Sequence, residues 1–226
     1  MQVRRALALS LLSSANLAAQ GKASIVSTDW LAKHLTDPSV VVLHMARDSQ
    51  DYRAGHVPGA SELQYSSIIV TVDGNRVELP PVEQLQQVFE RLGVSDTSHV
   101  VIYAAAIGMA PMASRAFFSL DYLGHRNVSL LSGGLAKWRA ENRTVSTDEA
   151  RPQPGRLSPR PRDIVVDADW VTSRTGKKGI SFIDTRTGPE YVGTGELSGI
   201  RSEGHVAGAR QLEWQQLFAN PDSGIF

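Results

Sequence analysis

Apolar and polar positions alternate along the chain in two rhythms. Val40–His44, Val100–Tyr103 and Val128–Leu131 are short apolar runs, rich in β-branched residues, with the length of buried strands. Between them the spacing predicts helices. Ser27 or Thr28 can cap one over Asp29–Leu35, and Ser49–Ala54 predicts a short helical turn. Pro80-Pro81 opens a helix in which Val82, Leu85, Val88, Phe89 and Leu92 share one face until Gly93 closes it. Pro111 starts a further helix, Met112–Leu123, which Gly124 ends, and Ser132-Gly133-Gly134 turns into Leu135–Ala140. Gly55-His56-Val57-Pro58-Gly59-Ala60 reads as a turn leading into Ser61–Gln64. Strands alternating with helices predict an α/β fold, a parallel sheet flanked by helices. In such sheets a ligand site lies beyond the carboxyl ends of the strands, where helix N-termini converge. Here that singles out Tyr103–Pro111.

The pattern then repeats. Ile25-Val26-Ser27-Thr28-Asp29-Trp30 aligns with Val165-Val166-Asp167-Ala168-Asp169-Trp170, an offset of 140 from Asp29 to Asp169. Val41–His44 aligns with Ser181–Asp184 at the same offset. Asp51-Tyr52 matches Glu190-Tyr191, and Gly55–Ala60 matches Gly204–Ala209, where the offset has grown to 149 across an insertion in Gly193–Ser202. Between the copies, Asn142–Arg162 carries Pro152, Pro154, Pro159 and Pro161 and little that is apolar, the composition of an extended interdomain linker. Two tandem units are therefore expected, one over 24–141 and one over 163–226, joined by 142–162. The second lacks counterparts of everything from about Val82 to Trp138. Half an α/β unit leaves sheet edges and one face uncovered, so 163–226 is expected to be truncated and poorly stable by itself.

Residues 1–23 follow another order: Arg4 and Arg5, an apolar run Ala6–Leu12, then small residues to Ala19, with no acid before Asp29. This is the layout of a secretory signal peptide, cleaved near Ala19 or Ala23, and it implies a periplasmic or secreted protein. An organelle transit peptide, leading to an organelle lumen, and an N-terminal helix of the fold are the competing readings.

Composition narrows the chemistry. Of 226 residues, Lys plus Arg number 23 and Asp plus Glu 23, which gives no electrostatic case for nucleic acid or an anionic membrane surface. No stretch is apolar enough to span a bilayer, so no membrane association is expected after processing. Cysteine is absent, which removes disulfides, Cys-ligated metal and every mechanism that needs a thiolate from these residues. The six His lack metal-ligand spacing, and G-x-S-x-G is missing. Gly193–Gly199 misses the dinucleotide fingerprint, and Gly176–Gly179 misses a phosphate loop.

Gly55–Ala60, the strand-loop-helix Val100–Leu123, Leu123-Gly124-His125 and Leu131-Ser132-Gly133-Gly134-Leu135-Ala136-Lys137-Trp138 together resemble the rhodanese family of sulfurtransferases. The doubled arrangement is similar to the tandem thiosulfate and 3-mercaptopyruvate sulfurtransferases. The resemblance implies a rhodanese-like parallel sheet and a cysteine in the loop after the central strand. There, backbone N–H groups and a helix N-terminus stabilise the thiolate and its persulfide. That thiolate takes sulfane sulfur from thiosulfate or a related donor and passes it to cyanide or a thiol. In tandem members the first domain has usually lost the cysteine, and here its loop reads Tyr103-Ala104-Ala105-Ala106-Ile107-Gly108-Met109-Ala110-Pro111, with no nucleophile. No catalytic residue is therefore assigned within 1–226, and the chain as given is expected to be inactive. Small-molecule sulfur donors and acceptors are the implied partners, with no cofactor and a monomer expected. The alternative is a non-catalytic rhodanese-fold module for binding or regulation. The cell-cycle phosphatases that share the fold also need a cysteine.

Asp184 and Arg186 follow the strand at Ser181–Ile183 and are the candidate substrate-binding residues, since a guanidinium suits an anionic donor. The competing reading is that Arg186 pairs with Asp184 or another acid to brace the domain. His56 and His205, flanked by glycine, fit loop-fixing better than catalysis. Arg201 beside Glu203 reads as a solvated loop charge, and Trp30 and Trp170 as packing residues. Glu190 precedes Tyr191 where mercaptopyruvate-specific relatives commonly place an Arg, which argues against that substrate.

Overall fold

The structure, a computed structural model, describes residues 24–72, 75–195, 204–220 and 223–226. The leader reading of 1–23 and the assignments to Arg201 and Glu203 fall outside them.

Five strands form one parallel sheet in the order β1-β7-β6-β2-β3. They are β1 (Ile25–Val26), β2 (Val40–Ala46), β3 (Ser61–Gln64), β6 (His99–Ala104) and β7 (Val128–Leu131). Neighbours pair in step, Leu43 opposite Ile102 and Ile102 opposite Leu130. Period-two alternation splits the central strands between two cores. Leu43, Met45, Val100 and Ile102 pack with α3 (Val82–Arg91) and α4 (Ala110–Tyr122). Val42, Val101 and Tyr103 pack with α1 (Thr28–His34) and α5 (Gly134–Ala140) on the other face. Burial on both faces is why these strands read as near-continuous apolar runs.

Some of the helices start where the sequence offers a side-chain cap. Ser27 Oγ accepts the Trp30 N–H at 3.1 Å, and Asp29 in the first turn with Lys33 and His34 in the last complements the helix dipole. Asp48 caps α2 (Ser49–Arg53) through the Gln50 N–H. A two-stranded hairpin, β4 (Val70–Val72) and β5 (Asn75–Glu78), is an addition to the elements expected from the sequence; its strands are short, and Val72 and Val77 stay about half exposed. A 3-10 turn, Tyr65–Ile68, precedes it and buries Ile68.

The 142–162 segment is extended, and it is also docked. Its prolines forbid a helix, so its backbone groups pair with loops of the sheet domain instead. Ser146 and His56 exchange backbone hydrogen bonds of 2.8 and 2.9 Å. Further along, Gly155 N–H donates to the Glu90 carbonyl at 2.7 Å, Leu157 N–H to the Glu90 carboxylate at 2.9 Å, and Arg160 N–H to the Leu123 carbonyl at 2.9 Å. Leu157 is buried in the α3–α4 core. The strap passes so close to Val94 that a Cβ on Gly155 would fall well inside van der Waals contact with the Val94 carbonyl. Gly155→Ala is therefore expected to cost about 2 kcal/mol and to expose the strap to limited proteolysis. An unchanged urea midpoint and cleavage pattern would contradict this contact.

Beyond the strap lie α6 (Ala168–Arg174), β8 (Ile183–Asp184), α7 (Gly188–Val192), β9 (Arg210–Gln211) and a 3-10 turn, Trp214–Leu217. β8 and β9 pair in parallel, Ile183 opposite Arg210, at positions that align with Leu43 opposite Ser61. Asp167 caps α6 through the Trp170 N–H, as Ser27 caps α1. Apolar side chains are left out here, with Ile183 60%, Val192 63% and Leu217 53% exposed; in 163–226 the buried apolar residues among those described are Ala209 and Phe218.

Candidate functional site

The carboxyl end of β6 delivers the chain into the loop Ala105–Ala106, a 3-10 turn at Ile107–Met109, and α4. Pro111 lies in the first turn of α4 and no side chain caps that end. Across the loop, β7 ends in the Ser132-Gly133-Gly134 turn. Gly133 and Gly134 take φ of +76° and +51°, which L side chains rarely adopt. A Cβ on Gly134 would stand 2.8 Å from the Ala104 carbonyl oxygen, so glycine is what lets α5 begin against the β6 loop.

Between these turns lies a cavity of about 250 Å³, walled by Ala104, Ala106, Ile107, Ala110, Gly133 and Phe226 among others. Residues near the end of the chain form part of its wall. Gly133 N–H donates to the Gly224 carbonyl at 2.9 Å, and Phe226 N–H donates to Ser132 Oγ at 3.2 Å. The Phe226 ring lies 4.6 Å from Phe218, and Phe218 meets Trp214 edge-on. Periodicity pointed to Tyr103–Pro111 as a site, but it carried no signal that Phe218, Gly224 and Phe226 would sit on it.

Among the described residues lining the cavity, Tyr103 alone has a titratable side chain, and its hydroxyl is committed elsewhere. It accepts the Val57 N–H at 2.9 Å and lies 3.0 Å from His44 Nδ1, and burial pushes the phenol well above its ordinary pKa. His44 is fully buried and held down at about 4, by burial first and by the neighbouring His56 and Arg139 next. Sequence reading passed over it as one polar residue inside an apolar run. The walls can hold an apolar group, and the loop can offer backbone dipoles, but among the described residues lining it no nucleophile stands beside a base. Among the described residues no group of three or more His, Cys, Asp or Glu could hold a metal ion. Nor is any helix among them long and apolar enough to cross a membrane.

His56 is buried away from the cavity and stacks on Tyr52 at 3.8 Å, with Nδ1 2.8 Å from the Tyr52 carbonyl and Nε2 3.1 Å from the Asp148 carbonyl. Tyr52 donates to the Ala60 carbonyl at 2.9 Å. His205 repeats the arrangement on Tyr191: rings 3.7 Å apart, Nδ1 2.8 Å from the Tyr191 carbonyl, and Tyr191 donating to the Ala209 carbonyl at 2.8 Å. Both imidazoles lock a Gly-rich turn to the helix before it.

Arg186 and Asp184 stand together at the end of β8. The guanidinium donates from Nε to Oδ1 at 3.0 Å and from Nη2 to Oδ2 at 2.6 Å, and Nη2 also reaches the Gly204 carbonyl at 2.7 Å. That pairing holds the Asp184 carboxyl below the usual range and raises the Arg186 guanidinium. Two of its nitrogens thus tie the turn together, and neither residue lines the cavity at β6.

The family model described as "Rhodanese-like domain" matches residues 27–141. The sulfur carrier protein TtuD of Thermus thermophilus is 34% identical over 219 residues, covering 88% of this chain and 72% of the relative. The thiosulfate sulfurtransferase of Cricetulus griseus is 28% identical, covering 86% of this chain and 70% of its own. Among solved structures, the 3-mercaptopyruvate sulfotransferase SseA of Escherichia coli superposes with a TM-score of 0.77 at 25% identity, over 88% of this chain and 78% of that one. An anaerobic ergothioneine biosynthesis enzyme from Chlorobium limicola, 23% identical with a TM-score of 0.70 over 84% of this chain and 50% of that one, shares the fold. With a parallel sheet flanked by helices, a family model that matches residues 27–141 and a relative 34% identical over 72% of its length, this chain belongs to the rhodanese family.

Proposed function

We propose that the chain serves sulfane-sulfur transfer, moving sulfur from thiosulfate or a related donor to cyanide or a thiol, with the reacting cysteine supplied from outside these 226 residues. In that chemistry a thiolate attacks the outer sulfur of thiosulfate, the S–S bond breaks, sulfite leaves and a persulfide forms. Cyanide then takes the outer sulfur as thiocyanate and restores the thiolate. The observation that carries the reading is the β6 loop, which keeps the backbone and the Gly-Gly wall of a helix-start cradle with alanines along its path and no thiol. The matching Tyr–His turns, the matching β8–β9 register and the uncovered apolar faces of 163–226 support a tandem arrangement whose second unit is incomplete. On this reading 24–141 is the cysteine-free unit, 142–162 the connection, and 1–23 a signal for export to a periplasmic or secreted location as a monomer. Arg186 and Asp184 then brace the turn at which the second unit would receive an anionic donor.

The chain as given is expected to form no thiocyanate from thiosulfate and cyanide above a no-protein control. Turnover above that control would overturn the placement of the reactive group. A second reading, a non-catalytic rhodanese-fold module for binding or regulation, is favoured by one observation: Gly224 and Phe226 already occupy the edge of the cradle. The protein isolated from its native source separates the two, because the transferase reading requires turnover there and the module reading forbids it.

A further inference from the structure

We propose that the groove between the strap and the amino ends of β6 and β7 binds a small oxyanion that brings its own hydrogen-bond donor, hydrogen phosphate being the simplest. It encloses about 410 Å³ and is lined by Asp96, His125, Arg126, Asn127, Ser158 and Arg160 together with apolar neighbours. Because the strands are parallel, it lies at the opposite end of the sheet from the β6 loop cavity.

Two polar atoms of its lining residues are buried and have no partner, His125 Nε2 and Asn127 Oδ1. His125 is only 8% exposed. The Asn127 amide nitrogen donates to the Ser98 carbonyl at 3.0 Å, which fixes Oδ1 as an unmatched acceptor. Folded proteins leave few such atoms unpaired, because desolvation is then uncompensated. The His125 ring also feels the Ser98 and Asn127 backbone and the Asp96 carboxylate, which partly offset the effect of burial. The Asp96 carboxylate already accepts the Ser158 N–H at 2.8 Å, and this bond first, with His125 and Arg160 nearby, holds it below the usual carboxylate range. Burial keeps the His125 ring below its ordinary value and so uncharged at neutral pH. The ion pairs among the described residues include neither the Arg126 nor the Arg160 guanidinium, and both side chains are exposed at the rim.

The complement of these groups is specific. Two guanidiniums against one carboxylate favour a negative ligand. The imidazole Nε2 gives or accepts according to tautomer, and Asn127 Oδ1 only accepts. Oxygens that take the arginine donors, with one hydroxyl for Oδ1, describe hydrogen phosphate, whereas sulfate offers the oxygens without the proton. A divalent cation would find the carboxylate and the imidazole but face both arginines.

Amide NMR of the 226-residue chain in Tris chloride at pH 7.5, titrated with inorganic phosphate, tests the site. Saturable shifts are expected at Gly124–Asn127 and at Ser158 and Arg160. Sulfate at matched ionic strength is expected to bind at least about fivefold more weakly, the loss of one hydrogen bond. The double variant R126A/R160A, altered only at the exposed rim, is expected to lose at least about tenfold in affinity with its other amide shifts unchanged. Absence of saturable shifts at these amides, equal response to sulfate and phosphate, saturation by magnesium in place of phosphate, or undiminished binding by the double variant would each overturn the proposal. The outcome is independent of where the reactive thiol resides.

Discussion

Trp138→Ala is expected to destabilise the sheet domain by about 3–5 kcal/mol, the range for emptying a buried aromatic site. The indole is 2% exposed and packs in the core formed by Leu31, Val42, Val101 and Leu135. Its Nε1–H donates to the Thr144 carbonyl at 2.8 Å, and the Arg143 guanidinium lies 5.3 Å from the ring. Truncation opens a cavity and also orphans a carbonyl at the start of the strap, so two penalties add. Urea titration checks it, with the fall in midpoint at unchanged slope as the expected result. A loss below about 1 kcal/mol would mean that the α5 face can collapse onto the gap, contrary to close packing around the tryptophan.

Acid is expected to weaken the fold between about pH 6.5 and 4, through His44. Its folded value is lowered from 6.5 to about 4, so the unfolded chain holds the proton more tightly than the native one. Stability is therefore full above pH 6.5 and falls as pH drops toward about 4. The two values differ enough to cost about 3 kcal/mol once both states are protonated, as an order of magnitude. His125, also lowered by burial, pulls in the same direction, while Glu141, lowered from 4.5 to about 2, loses its contribution only further into acid. Comparing unfolding free energies at pH 7 and 5 for the parent and His44→Leu isolates the source. The variant is less stable at neutral pH, because the Tyr103 hydroxyl loses a partner, but its decline with acid is shallower. Parallel pH profiles for the two proteins would remove His44 as the cause.

Much of the sheet domain was legible in the sequence because its physics is local. A β-branched run such as Val40–Val42, or a helix face such as Leu85, Val88 and Phe89, declares both its rhythm and its burial. Boundaries moved by a residue or two where a strand ran on, as β2 did to Ala46 and β6 to Ala104. The strap was legible as extended but not as attached, since Gly155 and Arg160 bind through backbone atoms that no side-chain pattern advertises. For the same reason the Gly-Gly turn could be read as a turn, whereas the approach of Gly224 to Gly133 could not. His44, His125 and Asn127 illustrate a further gap. A single polar residue beside apolar neighbours does not reveal whether burial will satisfy it, and here that depends on strands and loops far away in the chain.

The outermost strand has a bearing on how the protein is made. β1 at Ile25–Val26 pairs with β7, where Ile25 faces Leu130 and Val26 faces Leu131. During synthesis the beginning of the sheet therefore waits, unpartnered, until more than a hundred further residues have left the ribosome, and a parallel arrangement offers no nearby hairpin to shelter it. Such late ring-closing contacts make for slow acquisition of structure and a prolonged interval in which Ile25, Val26 and the α1 face are accessible to chaperones, a vulnerability set by chain order rather than by the strength of any contact.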